Sequence, residues 1–399
     1  LLLQRYNNIP DSFICFDIGP FISENSAQDI VHLTLKYDKK FPFDFAFLAD
    51  QLAIYPKAKI KLPSFAGVYA LFTPQSFEQS SSEVLAVFKA SLVSGKRLLD
   101  LSAGLGVDDW AFSRHFETVV SIDIDTQLNK IVRHNYGKLG VTNVERLDMD
   151  AYAFVENNVD TWDVVYLDAD RRAAQKRSHG LAETEPNILA LKKKLQPFTG
   201  CILLKVSPML DLHAIINELE KVSDIWVVSY RNEVKEILVK MVPGNANPAI
   251  HAVDIGTEHQ QLYSRPYAEP TEIAAYAYDG LWFYEPSLSL IKSGLASGYM
   301  QECGIRQVAP HSVYGVSDKE VKDFFGRRFA LYESFEFSKS RLKGYLSNNA
   351  ISKANIAKRN FPMEVDEIRK LAGIKDGGED YLFFAQDASG NKRVFHCRR

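Results

Sequence analysis

The chain has 399 residues, 46% hydrophobic and 24% charged, with 47 basic and 50 acidic side chains and a formal net charge of −3. That length suggests two to four domains, and the apolar share excludes a wholly disordered chain. Near-neutrality announces no nucleic-acid partner. The four cysteines (Cys15, Cys201, Cys303, Cys397) are widely spaced with no C-x-x-C pair. This argues against a zinc site or disulfide framework and for a reducing, cytoplasmic compartment. No apolar run approaches the roughly 20 residues of a membrane helix. Leu1–Arg5 is too short for a signal-peptide core, and the missing initiator Met suggests that the chain begins inside a longer sequence.

Residues 1–95 read as helical, with Ile30, Leu33 and Tyr37, then Phe45, Leu48 and Leu52, at three- and four-residue spacing. Pro56 to Pro63 reads as a linker, followed by the apolar run Val68–Phe72. Gln79–Glu83 offers caps for a helix starting at Val84. From Lys96 strands alternate with helices. The strands are Arg97–Leu101, Val119–Asp123, Asn143–Leu147, Asp163–Asp168 and Cys201–Val206. Helices are expected over Val107–Phe116, Thr126–Leu139, Asn187–Leu195 and Leu210–Val222. Near-continuous apolar strands in such alternation predict a parallel sheet covered on both faces. Ile225–Tyr230 and Val234–Met241 around Arg231-Asn232-Glu233 predict a closing hairpin. Val242–Pro248 is the best domain boundary. Residues 249–325 mix Tyr, Pro and short strands without a clear period. The tail predicts strand Phe329–Phe337, helix Ser340–Leu346, strand Ala354–Arg359, helix Val365–Leu371 and strands Tyr381–Ala385 and Arg393–Cys397.

The strongest motif is Asp100-Leu101-Ser102-Ala103-Gly104-Leu105-Gly106 between a buried strand and a helix. Without side chains at Gly104 and Gly106 the backbone can turn tightly and approach a ligand, and helix N–H groups lie beyond. Asp123 ends the next strand, where a carboxylate can accept both hydroxyls of a ribose. Taken singly, these are features of an ordinary strand–helix turn and of helix caps. Together they mark the carboxyl edge of the sheet, where open α/β sheets bind ligands.

Asp100–Gly106 resembles motif I of the class I S-adenosylmethionine methyltransferases, with Ser102 in place of the first glycine. Five parallel strands and a terminal hairpin are the strand plan of that class. The resemblance places Asp100 near the methionine amino group, Asp123 on the ribose and Asp150 near the adenine amine. It puts Asp168-Ala169-Asp170-Arg171-Arg172 at the motif IV position facing the transferred methyl. Phe77–Glu83, the Asp168–Arg172 turn, Ala354–Met363 and Gly377-Gly378 resemble a bacterial family of methyltransferases with a THUMP-like domain. This implies an α/β, Rossmann-like class I sheet with an N-terminal helical region and small α+β domains after it. The divisions expected are 1–95 helical, 96–245 S-adenosylmethionine-binding, 246–328 ferredoxin-like and 329–399 THUMP-like.

THUMP domains deliver RNA to attached modifying enzymes, so the resemblance implies methylation of rRNA or tRNA. Residues 301–399 carry 18 basic and 13 acidic side chains, a net +5 that leaves −8 elsewhere. Arg341, Lys343, Lys353, Lys358 and Arg359 form a stretch free of acidic residues that could meet phosphates. A solvated charged face is an equal alternative on charge alone. Tyr345 and Phe361 beside it are candidates for base stacking or for the core.

For chemistry, Asp168 is the expected orienting residue and Asp170 a further candidate, with Arg171 or Arg172 on substrate phosphate. Ala169 departs from the proline usual at that place, which leaves the target atom open. Lys205 and Ser207, ending the fifth strand, are second-tier candidates, and Glu78 and Gln79 could cover the pocket. Cys201 opens its strand at the opposite edge, so a cysteine-nucleophile route is disfavoured. His134 and His179 lack partners at metal spacing, so no metal is assigned. Two other readings stay open: a methyltransferase for a small molecule or protein, and a catalytically weak RNA-binding protein that keeps the fold.

Overall fold

The computed structural model describes residues 4–37, 39–168, 170–171, 180–244, 247–256, 260–268, 273 and 276–399. At Gln4, Arg5, Asp170, Arg171, Glu183 and Glu185 only the backbone is described. Two compact units emerge: residues 1–224 with 237–246, and 225–236 with 247–399.

The first unit is built on β1 (Arg97–Asp100), β2 (Thr118–Asp123), β3 (Val144–Asp148), β4 (Val164–Asp168) and β5 (Ile202–Val206), all parallel. The hairpin strands β6 (Val222–Tyr230) and β7 (Glu233–Met241) follow, with β7 antiparallel to β5. The order is β3-β2-β1-β4-β5-β7-β6, the Rossmann-like arrangement expected from the sequence. Leu98, Leu99, Val165, Leu203 and Leu204 are fully buried, because helices cover both faces of these continuous apolar strands. Helix Thr126–Leu139 has the predicted bounds: Asp125 accepts from the Gln127 and Leu128 amides, and Gly140 closes it at φ +69°. Helix Ala151–Asn157, capped by Asp150, was not foreseen. Helix Leu212–Leu219 stops before Glu220 and Lys221, both in the left-handed region.

Two N-terminal expectations are corrected. Pro56 does not open a linker but lies inside helix Ala46–Lys61. The ring removes one hydrogen bond, but the buried face of Phe47, Leu48, Leu52, Tyr55 and Ala58 carries the helix through. Nor does the side chain of Ser82 cap the next helix, Glu83–Ser91. Glu83 instead accepts from the Ser64 and Phe65 amides and the Ser64 hydroxyl, closing the start of helix Pro63–Gly67.

In the second unit β8 (Ala249–Ile255) and β9 (Gln260–Pro266) form an antiparallel pair beside β6. A separate sheet holds β10 (Trp282–Pro286), β11 (Arg306–Gln307), β12 (Gly315–Ser317), β13 (Gly326–Glu336), β14 (Asn355–Arg359), β15 (Asp380–Gln386) and β16 (Lys392–Arg398). Its order is β11-β12-β10-β13-β16-β15-β14. Every tail element is found within a few residues of its predicted bounds. Strand β13 lies on both sides of the expected 328/329 division and pairs with β10 and β16 alike. Phe283, Phe329, Phe383 and Phe395 pack one face of this sheet, and Phe335, Leu342, Leu382 and Val394 the other.

Candidate cofactor and transfer site

The carboxyl ends of β1 to β4 open onto a cleft of about 690 Å³ in the first unit. Its lining includes Ser102, Gly104, Gly106, Asp123, Asp150 and Asp168, so six of the predicted residues meet there. Tyr6, Asn7 and Ile9 from the N-terminal helical region form another wall, a contribution no motif signalled. Tyr6 donates to Asp50 (2.9 Å), and the Ile9 amide donates to Gln127 Oε1 (3.1 Å).

The loop after β1 shows why its glycines are glycines. Gly104 (φ +48°) and Gly106 (φ +74°) are left-handed, where an L side chain is strained. A Cβ at Gly106 would run into the Tyr136 hydroxyl, whereas one at Gly104 would meet nothing within 4 Å. Gly106 is therefore demanded by packing, and Gly104 leaves free space on the cleft. The Gly104 amide donates to Asp123 Oδ2 (2.8 Å), and Asp123 Oδ1 accepts from the Asp125 amide (2.9 Å). Ser102 accepts from the Asp168 amide through Oγ (2.6 Å) and so ties β1 to β4. Asp150 is exposed at the cleft and caps helix Ala151–Asn157 through the Ala153 amide (3.0 Å). Ile124 and Met149, 71% and 43% exposed, are apolar side chains on the same wall.

Asp100 is not among the residues lining the cleft. It is 1% exposed, beneath the loop, and accepts from the Ser102 amide (2.7 Å) and hydroxyl (3.1 Å). Burial, with Asp109 beside it, holds its carboxyl well above the usual carboxylate range. Burial also raises Asp109, opposed by Arg146 and a hydrogen bond from Ser121 (2.5 Å). Tyr166, Asp100, Ser121 and Arg146 are register partners in turn across β4, β1, β2 and β3, a polar row in an apolar sheet. Helix Val107–Phe112 brings Asp108 and Asp109 to it: Tyr166 donates to Asp108 (2.9 Å), and Arg146 reaches Asp109 (3.4 Å). Lys89, fully buried, pairs with Asp108 (3.2 Å) and donates to Ser81 (2.8 Å).

At the transfer edge Asp168 and Lys205 are register partners on β4 and β5 and form an ion pair. Among the described side chains, Lys205 is thus the second-tier candidate joined to the primary one. The side chains of Asp170 and Arg171, and residues Ala169, Arg172 and His179, lie outside the described residues. The backbone of Asp170–Arg171 pairs with Thr184–Glu185. Gln79 lines the cleft, while Glu78 faces Lys57 (3.0 Å). Burial raises the Cys201 thiol and lowers the His134 imidazole. Among the described residues no three His, Cys, Asp or Glu side chains cluster as a metal site, and no helix is long and apolar enough to cross a membrane.

No motif in the sequence points to Lys89 or Arg146. Arg146 lies in a strand that also carries Glu145 and Asp148, and Lys89 shares its buried helix face with Glu83, so neither stands out from an apolar run.

In the tail, Arg341 and Lys343 lie exposed on helix Lys339–Asn348, and Lys353 is exposed before β14. Lys358 pairs with Glu364 (2.5 Å). Arg359 pairs with Glu285 (3.1 Å), donates to the Val313 carbonyl and lies over the Tyr314 ring. Neither aromatic candidate is a free stacking platform. Phe361 is buried against Phe337 and Phe384, and Tyr345, in contact with Phe335, is bonded to His396 (2.7 Å).

Residues 80–190 match the family described as Conserved hypothetical protein 95, and residues 326–399 match the THUMP domain-like family. The chain is 28% identical to a candidate methyltransferase of Porphyromonas gingivalis W83, whose crystal structure superposes with a TM-score of 0.85 over 96% of this chain and 97% of that one. It is 24% identical, over 76% of its length and 81% of theirs, to proteins named uncharacterized S-adenosylmethionine-dependent methyltransferases in two strains of Mycobacterium tuberculosis. Fold and relatives mark the chain as an S-adenosylmethionine-dependent methyltransferase whose residues 326–399 match the THUMP domain-like family.

Proposed function

We propose that the protein methylates a base in structured RNA, rRNA or tRNA. The observation that carries this reading is the union, in one chain, of the methyltransferase cleft with a segment matching the THUMP domain-like family. The open space at Gly104, the carboxylates of Asp123 and Asp150 and the apolar Ile124 and Met149 suit a nucleoside with a charged tail. When bound, S-adenosylmethionine supplies a sulfonium-activated methyl group. Asp123 receives the ribose hydroxyls, Asp150 the adenine amine, and the loop Ser102–Gly106 the amino-acid end, with Asp100 fixing that loop from below. Transfer is an in-line displacement, so positioning and exclusion of water are the protein's main contributions. Asp168 accepts a hydrogen bond from the base amine and orients its lone pair, while the paired Lys205 keeps that carboxylate in place. Asp170 and Arg171 belong to the same edge on sequence grounds. Arg341, Lys343 and Lys353 are the phosphate contacts of the tail, with Lys358 and Arg359 contributing from within their ion pairs.

The test is incubation of the full chain with methyl-labelled S-adenosylmethionine and, separately, total bacterial RNA, protein extract and metabolites. Label entering RNA, and lost in Asp168→Ala, supports the reading. Label entering only protein or metabolites contradicts it.

A further inference from the structure

A residue that does not itself line the cleft holds two of the cleft's recognition elements at once. The Arg146 side chain is 1% exposed, on β3 at the edge of the parallel sheet. Its Nη2 donates to the Gly104 carbonyl (2.5 Å) and lies 3.7 Å from Asp123 Oδ2. Nη1 donates to Ser121 Oγ (3.2 Å) and Asp109 Oδ2 (3.4 Å), and Nε donates to Asn129 Oδ1 (2.6 Å). Asn129 in turn donates to the Asp123 carbonyl (2.9 Å) and to Asp148 (2.5 Å). The guanidinium therefore reaches Asp123 twice, directly at its carboxylate and through Asn129 at its backbone. It also fixes the loop whose Gly104 amide completes the triangle on Asp123 (2.8 Å). A planar fork with five donors can satisfy these acceptors together, whereas a lysine ammonium has three donors and no fixed plane.

We propose that Arg146 is the positioning residue for ribose recognition: it sets the distance between the Gly104 loop and the Asp123 carboxylate, which no other described side chain bridges. The inference rests on reading the cleft as the S-adenosylmethionine site. The competing role is structural, the neutralisation of buried Asp109, and a charge-balanced variant separates the two. In Arg146→Met alone, Asp109 is left without its cation and the fold can fail. In Arg146→Met with Asp109→Asn, that burden is gone.

The experiment measures binding of S-adenosylhomocysteine and its 2′,3′-dideoxy analogue to the full chain by calorimetry, alongside the midpoint of thermal unfolding. The unsubstituted chain is expected to prefer the natural ribose at least tenfold. The double variant is expected to unfold near the normal temperature yet lose most of that preference, while Asp109→Asn alone keeps it. A double variant that binds with the preference intact overturns the inference. Failure of the unsubstituted chain to bind S-adenosylhomocysteine overturns the cofactor reading itself.

Discussion

The cleft floor and the carboxyl-terminal module hold their charges in opposite ways. Under the cleft Lys89, Asp109 and Arg146 are withdrawn from water, and with Asp108 on the cleft wall they are held through Ser81, Ser121, Tyr136 and Asn129. In the tail Arg341, Lys343 and Lys353 are exposed and Lys358 pairs with Glu364, whose side chain is 75% exposed; Arg359, paired with the buried Glu285, is the exception. Buried charges are costly to separate and strongly directional, so they fix geometry. Exposed ones are screened and nearly free to rearrange, so they attract a polyanion without dictating its shape. The first arrangement suits a small cofactor, the second an RNA backbone.

This contrast can be broken at single residues. The largest effect is expected at Lys89→Met, which leaves Asp108 beside the cleft without its buried cation. Stability should fall by about 3–5 kcal/mol in denaturant titration, and a loss below ~1 kcal/mol would mean the floor is not a coupled network. Gly106→Ala should cost about 2 kcal/mol and weaken cofactor binding, since the added carbon meets Tyr136 at a left-handed backbone position. Asp163→Asn tests a carboxylate that accepts from the Arg97 and Lys96 amides at the start of β1 (2.9 and 2.6 Å). Those bonds hold its pKa below the ordinary 3.8. Its contribution of about 1 kcal/mol is therefore present above pH ~4 and lost as pH falls through the lowered value. The substitution should lower stability at neutral pH and flatten the acid limb in the same window.

The smallest effects belong to the tail. Arg341→Gln and Lys343→Gln should each reduce the slope of log RNA affinity against log salt by about 1 and leave stability unchanged. Lys358→Met should change stability by no more than about 0.5 kcal/mol. A larger loss there would show that the tail, too, depends on fixed ion pairs.

Much of the fold was legible because its signals are local. The apolar strands from Arg97 to Val206, helix Thr126–Leu139 and the tail elements all follow from short-range patterning. The site was legible where glycine and carboxylates end successive strands. What escaped depended on contacts distant in sequence. Pro56 reads as a break unless the buried face of its helix is known, and Glu83 reads as a cap for its own helix until Ser64 approaches it. Arg146 is a lone cation in a strand until Gly104, 42 residues earlier, presents its carbonyl. Arg359 reads as a free cation until Glu285, 74 residues earlier, pairs with it.

The central claim is that the edge of β1, β2 and β3 binds S-adenosylmethionine through Asp123. Calorimetric titration of the full chain with S-adenosylhomocysteine tests it most directly. One site per chain is predicted, with affinity falling at least tenfold in Asp123→Ala while the unfolding midpoint moves little. Binding that is absent, or unaltered by that substitution, would contradict the account.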